Sequence, residues 1–283
     1  MNLIVGSLLV IGAVMGGFIL SGGQPLALWQ PYELLVICGS AFGAFFIANP
    51  MNVVMEVLKS IPVLLGGSKY GKERYLELLA MLSAILSKAR KEGLIAIEAD
   101  IEEPDKSPVF SKFDKVVKDH HAMEFVTDYL RMMVTGSMDP FQLDNLMQVE
   151  LDAHHAEMAE VPHALTRVSD GLPGFGIVAA VLGVVITMGS LGGPIEEIGH
   201  HVAAALVGTF LGILFAYGFV GPMATSLEGR NHEAAKFLEV IKATLLASAQ
   251  GYAPVVAVEF GRKTMPPGIR PSFKELEEYL KKG

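Results

Sequence analysis

The sequence predicts an all-α integral membrane protein with four transmembrane helices, a large helical cytoplasmic insert between helices 2 and 3, and a helical cytoplasmic tail. Three observations predict this fold class: 51% of the residues are hydrophobic, only 18% are charged, and four long stretches carry no charged side chain. The net charge of −8 disfavours a nucleic-acid partner, because such proteins are normally basic. The single cysteine excludes an internal disulfide and a multi-cysteine metal site.

The four uncharged stretches cover residues 3–20, 34–48, 171–195 and 202–227. A helix needs about 20 residues to cross a bilayer, so the second stretch is short and is predicted to be the return half of a hairpin. None of the four contains Asp, Glu, Lys, Arg or His, although ionisable groups inside a membrane usually mark an ion path. A proton that crosses here would therefore need a titrating group from another chain.

The distribution of basic residues predicts the topology. Thirteen Lys and Arg lie between residues 51 and 170 and nine follow Leu227, which together account for all 22. Because positive residues stay on the cytoplasmic side, the insert and both termini of this multi-pass protein are predicted to be cytoplasmic. Trp29 and Tyr32 fall at the predicted outer interface. The predicted domains are a transmembrane hairpin at 1–50, a cytoplasmic helical domain at 51–169, a second transmembrane hairpin at 170–227 and a cytoplasmic tail at 228–283.

Periodic leucines and capping signals predict the cytoplasmic helices. Residues 51–65 are interpreted as an inward continuation of the second span, and 73–91 as an amphipathic helix that ends at Gly93. Asp139 with Gln142 forms a capping box, and the helix it starts is expected to continue to Val161 or beyond, close to the third span. A second capping box, Ser272 with Glu275, begins a helix whose buried stripe is predicted to include Phe273, Leu276 and Leu280.

Small residues four positions apart recur in every predicted span and allow helix backbones to approach closely in lipid. The pairs are Gly12 with Gly16, Gly39 with Gly43, Ala179 with Gly183, and Gly208 with Gly212. Pro173 and Pro222 lie near the predicted cytoplasmic ends of the third and fourth spans, where the third helix either begins or bends. Two interpretations stay open for these prolines, a static bend and a hinge that links the spans to the cytoplasmic region.

Two histidine pairs, at 120–121 and 154–155, lack the H-E-x-x-H spacing of zinc sites and are interpreted as solvated. No phosphate-binding loop and no nucleophile elbow is present, so the sequence predicts no enzyme activity and no cofactor.

Several motifs, taken together in order, resemble the MotA family of flagellar motor stator subunits within the MotA/TolQ/ExbB proton channel family. They are Gln30-Pro-Tyr-Glu33, Ser87-Lys-Ala-Arg90, Glu98-Ala-Asp-Ile-Glu102, Leu172 to Ala180, Val207 to Ile213, and Gly251-Tyr-Ala-Pro254 with Val258 to Thr264.

This resemblance implies a proton-conducting stator unit of the bacterial inner membrane, in which the cytoplasmic domain at 51–169 faces the rotor and the hairpin at 170–227 lines the ion path. Its subunits are expected to form a homo-oligomer, a pentamer, around a MotB-type one-span protein that binds peptidoglycan and carries the proton-binding aspartate. The resemblance also implies that Arg90 and Glu98 engage the rotor protein FliG, and that Pro173 and Pro222 take part in conformational coupling. Lys91 and Glu92 add charges of both signs beside Arg90, so the rotor contact need not rest on Arg90 alone.

The transported ion is predicted from two positions. Sodium-driven relatives carry a threonine seven residues after the proline of the third span, and Ala180 stands there in this chain. Thr209 matches a hydroxyl that both branches share. Because Ala180 offers no oxygen ligand, the resemblance implies H⁺ as the transported ion.

Two alternatives remain. The chain could be an energiser like ExbB or TolQ, although the hairpin before the insert disfavours their three-span arrangement. It could also be a non-conducting membrane scaffold whose glycines only pack helices.

Overall fold

The computed structural model describes residues 2–282, and all regular secondary structure in that range is helical. The α-helices of the described range are α1 (Asn2–Leu20), α2 (Pro31–Ala48), α3 (Met51–Leu65), α4 (Lys72–Glu92), α5 (Glu98–Glu102), α6 (Asp114–Val117), α7 (His120–Thr135), α8 (Pro140–Gly189), α9 (Ile195–Phe215), α10 (Gly221–Ala249), α11 (Pro254–Thr264) and α12 (Phe273–Lys282). Short 3₁₀ turns occupy Pro25–Leu28, Leu94–Ile97, Pro104–Lys106 and Phe110–Lys112, and a π-helix joins α9 to α10 at Ala216–Val220.

Four stretches of helix are long and apolar enough to cross a membrane, and they lie in the regions that the sequence predicts. The predicted all-α fold with four membrane helices and a large helical region between the second and the third is therefore confirmed, and the side of the membrane on which that region lies stays a prediction. The chain divides into two compact units, Met1–Gly67 with Met158–Gly229, and Ser68–Glu157 with Arg230–Gly283. The predicted domain bounds follow the expected membrane surfaces rather than this division, and they stay a prediction.

The chain breaks between α2 and α3, so the interpretation of 51–65 as a continuation of the second span is wrong. Asn49 is extended, with φ −129° and ψ 142°, and Pro50 follows it. A proline disfavours helical geometry in the residue before it, which explains the break. The new helix buries Val53, Val54 and Val57 in a core of the first unit.

Helix α8 continues without a break from Pro140 to Gly189, so the interpretation in which a helix starts at Pro173 is wrong. Its predicted start is confirmed, because Asp139 Oδ1 accepts hydrogen bonds from the backbone N–H groups of Phe141 (2.8 Å) and Gln142 (2.9 Å). The Gln142 side chain completes the capping box by accepting from the Asp139 N–H at 3.1 Å. Membrane helices tolerate an internal proline when neighbouring groups satisfy the freed carbonyl, and α8 contains two, Pro162 and Pro173.

The second unit is built around α4, which packs against α11, α12 and α6. The periodic leucines of α4, which are Leu76, Leu79, Leu82 and Leu86, are buried, but so are Leu78, Met81 and Ile85 outside their stripe. The helix is therefore surrounded rather than amphipathic. The capping box of α12 also forms, with the Glu275 N–H donating to Ser272 Oγ at 3.2 Å, whereas Phe273 is 57% exposed and does not belong to the buried stripe.

Candidate functional site

In the first unit, α8 and α9 pack with backbone against backbone. A Cβ atom added to Gly176 would lie 3.0 Å from the carbonyl oxygen of Gly208, and one added to Gly212 would lie 2.7 Å from that of Leu172. Farther along, a Cβ on Gly183 would meet the Cβ of Ala205 at 2.8 Å. A side chain at Gly212 or Gly183 would force its neighbour to shift, and one at Gly176 would be tight, so small residues allow the two helices to pack in close van der Waals contact.

This contact contains the two residues that the resemblance assigns to the ion pathway. The Cα atom of Thr209 lies 3.4 Å from the Cβ position of Gly176, and the backbone nitrogen of Ala180 lies 3.6 Å from that of Gly208. Thr209 and Ala180 are both half-buried. Pro173 directly follows Leu172, whose carbonyl touches Gly212, so the structure brings three of the predicted site residues to one helix pair.

The two small-residue pairs of α1 and α2 have a different environment. A Cβ atom on Gly12, Gly16, Gly39 or Gly43 would meet open space within the described chain. Among residues 2–282, therefore, the predicted small-residue pairs of α8 and α9 are closely packed and those of α1 and α2 are not.

The remaining proline of the site, Pro222, lies on the second position of α10, directly after the π-helix Ala216–Val220. Proline has no N–H and its ring crowds the preceding turn, and a local π-helical adjustment is one way in which a membrane helix satisfies the backbone groups that a proline frees. The carbonyl of Ala216 accepts the N–H of Gly221 and also the hydroxyl of Ser169, at 2.9 Å. Ser169 lies four residues before Pro173, so one buried hydrogen bond connects the helical turns beside the two prolines.

Polar side chains surround this linkage. An open hollow next to Pro222 is lined by Thr166, Ser169, Asp170, Tyr217 and Thr225. Sequence reasoning missed Ser169 and Asp170, because both precede the third uncharged stretch. The continuous helix α8 is what brings them to the site.

Glu33 is a carboxylate that sequence reasoning left outside the second span. Helix α2 begins at Pro31, so Glu33 lies in its first turn. Its Oε2 atom is buried without a hydrogen-bond partner among the described residues, and its Cγ lies 3.5 Å from the Cβ position of Gly208 in α9. The interpretation of the bundle as free of carboxylates therefore needs correction at this end of α2. Proline at the first helical position was the signal that could have extended the span.

In the second unit, the exposed Arg90 lies in the last turn of α4. Its Nη1 atom donates to the carbonyl oxygens of Gly251 and Tyr252, each at 3.3 Å. Both ends of this contact depend on a left-handed glycine, Gly93 with φ +92° after α4 and Gly251 with φ +90° after α10. The Gly251 turn therefore orients the guanidinium that the resemblance assigns to rotor contact.

Glu98 is exposed at the start of α5, and within residues 2–282 no ion pair joins it to Arg90. The acidic segment around it is not wholly solvated. Asp100 is only 3% exposed and accepts from Lys88 Nζ at 2.7 Å and from the Ser107 hydroxyl at 2.6 Å. This buried pair fixes the segment that carries Glu98 to α4, and leaves Arg90 and Glu98 available at the surface.

The histidine pairs lie apart from these sites. His120, His121 and His155 are exposed, as predicted, but His154 is half-buried, its ring centroid is 6.1 Å from that of His121, and its Nδ1 has no partner among the described atoms. Among residues 2–282, no cluster of three or more His, Cys, Asp or Glu has a geometry that could hold a metal ion.

Comparison with known proteins places these features in context. The family described as Motility protein A N-terminal matches residues 4–93, and the MotA/TolQ/ExbB proton channel family matches residues 117–240. The chain is 45% identical over 282 residues to Motility protein A of Salmonella typhimurium, covering 99% of this chain and 95% of that protein. It is 38% identical to the chemotaxis protein LafT of Vibrio parahaemolyticus, covering 99% and 98%.

Solved structures agree with the fold. The flagellar MotAB stator complex from Bacillus subtilis matches with a TM-score of 0.73 and 28% identity, over 90% of this chain and 92% of that one. The C. jejuni MotAB structure matches in fold with a TM-score of 0.77 at 20% identity, over 94% and 97%.

Proposed function

We propose that this chain, which belongs to the motility protein A family of flagellar motor stator subunits, uses proton flow to generate torque on the rotor. Membership in a proton channel family and the four membrane helices support an ion-conducting subunit of the inner membrane. The finer assignments are part of the proposal: a pentamer with cytoplasmic termini, a MotB-type one-span partner anchored to peptidoglycan, FliG as the torque recipient, and no enzyme activity or cofactor.

The glycine contact between α8 and α9 is the observation that carries the proposal. It holds Thr209 and Ala180 on a helix pair whose backbones touch, so a movement of α8 at Pro173 would be passed directly to α9. Ser169 adds a direct hydrogen bond between the turns next to Pro173 and Pro222. These residues form a continuous route from the ion pathway to the linkage between the prolines.

The proton-carrying group is proposed to be an aspartate of the MotB-type partner. Glu33 lies in the first turn of α2, one residue before the second uncharged stretch, and the four uncharged stretches themselves offer hydroxyls but no carboxylate. A hydroxyl can orient water but does not exchange a proton near neutral pH. The chain would therefore line the path, while the partner supplies the acid.

The energy available fits a contact made of weak interactions. One elementary charge that crosses 100 mV releases about 2.3 kcal/mol. Exposed ion pairs contribute roughly 0–1 kcal/mol each, so contacts through exposed Arg90 and Glu98 can form and release within one step.

Proton flux tests this proposal directly. The chain would be co-produced with a MotB-type partner that lacks its plug, and cytoplasmic acidification would be recorded. We expect acidification only when both chains are present; a lack of partner-dependent flux would favour the scaffold alternative.

Ion choice and torque have separate readouts. Swimming speed in sodium-free medium should match that in sodium, because Ala180 provides no sodium ligand; an abrupt stop would contradict this assignment. Charge reversal of Arg90 and Glu98 together should abolish swimming without abolishing flux. Unchanged swimming would favour an energiser of the ExbB or TolQ kind.

A further inference from the structure

A groove of about 270 Å³ opens in the second unit beside the Arg90 guanidinium. Most of its wall is apolar, and three methionines, Met132, Met133 and Met138, stand along it together with Leu94. Leu94 and Met138 are about 40% exposed, so the groove opens to the surface rather than being an internal packing defect. An exposed concave apolar site of this size fits one bulky side chain of a partner.

The groove has one charged residue in its lining, Arg90. Both hydrogen bonds of Arg90 within residues 2–282 use Nη1 and run to carbonyl oxygens of the Gly251 turn. No negative charge of the described chain pairs with this guanidinium, while Nε and Nη2 remain for an incoming group. A guanidinium that is oriented in this way is complementary to a carboxylate.

We propose that the groove receives a bulky apolar side chain from a helix of the rotor protein, and that Arg90 pairs with a carboxylate one turn away on that helix. Residues three or four positions apart share one face of a helix, which allows both contacts to form at once. This inference rests on the proposed rotor contact and adds to it an apolar anchor.

Methionine walls suit such a contact. The thioether side chain is flexible and adapts to apolar groups of different shape without strict complementarity. A stator must engage one rotor subunit after another, so a pocket that adjusts to each arrival and releases it is better suited than a rigid one. The apolar anchor would also exclude water around the Arg90 pair while it is formed.

Site-specific photo-crosslinking tests the occupant. A benzophenone amino acid would replace Met138 in the groove, Lys91 on the charged surface beside Arg90, or Val149 on α8 outside the groove, each in the full chain assembled with its MotB-type partner. Purified FliG is the probe. We expect crosslinks to FliG from Met138 and Lys91 but not from Val149, with the Met138 crosslink within four residues of a carboxylate.

The other outcomes separate the two proposals. Crosslinks to FliG from Lys91 but not from Met138 would overturn the groove assignment and leave the rotor contact intact. A crosslink from Met138 to a second copy of this chain would overturn the rotor protein as occupant. No crosslink to FliG from either position would contradict the rotor contact itself.

Binding measurements supply a second test. Leu94→Gln removes apolar wall at an exposed position and should weaken FliG binding at least fivefold, whereas the matched change Val149→Gln should leave binding within twofold. Equal affinities of the two variants would overturn the anchor. Unchanged Tm of both variants would show that the loss is not a folding defect.

Discussion

Arg90 and Tyr252 are joined by a hydrogen bond in which the guanidinium Nη1 donates to the backbone carbonyl oxygen at 3.3 Å. The same nitrogen also donates to the carbonyl oxygen of Gly251, so one donor at the end of α4 serves two acceptors in the turn after α10. The residue that the family resemblance assigns to rotor contact thus also positions the wall of the neighbouring groove. The effect of the Arg90 charge on torque can therefore be separated from the effect of its hydrogen-bond geometry by substitution.

Arg90→Lys keeps the charge but loses the planar fork of donors. We expect it to retain part of the swimming torque, and Arg90→Ala to lose most of it, because only the lysine can still attract a carboxylate. Bead-rotation assays would measure the torque. Lys91→Ala is the matched control and should have a smaller effect; equal losses in Lys91→Ala and Arg90→Ala would contradict a special role of Arg90.

Gly212→Ala places a methyl group 2.7 Å from the carbonyl oxygen of Leu172. The two backbones must separate, which should cost about 1–3 kcal/mol, the usual range for overpacking. We expect a lower Tm of the purified full chain and lost proton flux. Gly229→Ala is the control, since its Cβ meets open space inside α10 and alanine favours helix. A Tm of Gly212→Ala equal to that of the parent chain would refute the close backbone contact.

Ser169→Ala removes the buried hydrogen bond to the Ala216 carbonyl at the start of the π-helix. A hydrogen bond of this kind contributes about 0.5–1.5 kcal/mol, so a modest fall in Tm is expected. If the bond links the turns at Pro173 and Pro222, torque should fall more than proton flux does. Thr225→Ala, which removes a hydroxyl bonded only to the Gly221 carbonyl within the described chain, serves as the control. Equal torque in the two variants would argue against coupling through Ser169.

The ion pairs of Asp119 lead us to expect that the stability of the second unit falls in acid. Burial by itself would raise the pKa of Asp119, but hydrogen bonds and charges from Lys69, Arg74 and Tyr70 outweigh it and hold that pKa below its usual value. The unfolded chain then takes up the proton at higher pH than the folded chain. Stability that is present above about pH 4 should be lost as the pH falls below it.

The near-UV circular dichroism of the tyrosines would report this loss. Asp119→Asn should lower stability at pH 7 and flatten the acid dependence, because the titrating group is gone. Asp114→Asn removes an exposed carboxylate whose Lys118 partner is equally exposed, and it should leave the acid profile unchanged. An acid profile of Asp119→Asn that parallels that of the parent chain would contradict the assignment.

Capping residues and apolar stretches, which are local features of the sequence, predict most of the helices. The capping boxes at Asp139 and Ser272 predicted two helix starts correctly, since they depend on side chains within three residues of one another. The interpretation in which a helix begins at Pro173 is wrong, because a membrane helix tolerates an internal proline where neighbouring helices satisfy the freed backbone groups. Which helices are neighbours cannot be read from the local sequence. Glu33 lies outside the second uncharged stretch because its side chain is charged, whereas the helix itself already begins at Pro31.

The amino-acid sequence by itself determined that the chain is a helical membrane protein with four spans. The position of its basic residues predicts its topology, and its motifs indicate its family. These properties can be predicted locally, because the free energy of transferring a segment from water to lipid depends on the side chains of that segment alone. The tertiary structure alone decided that Gly176 and Gly212 bring α8 and α9 into backbone contact, that Ser169 connects the turns of two prolines, and that Arg90 borders an apolar groove. Such relationships join residues tens of positions apart, and only packing of the folded chain selects which of them meet.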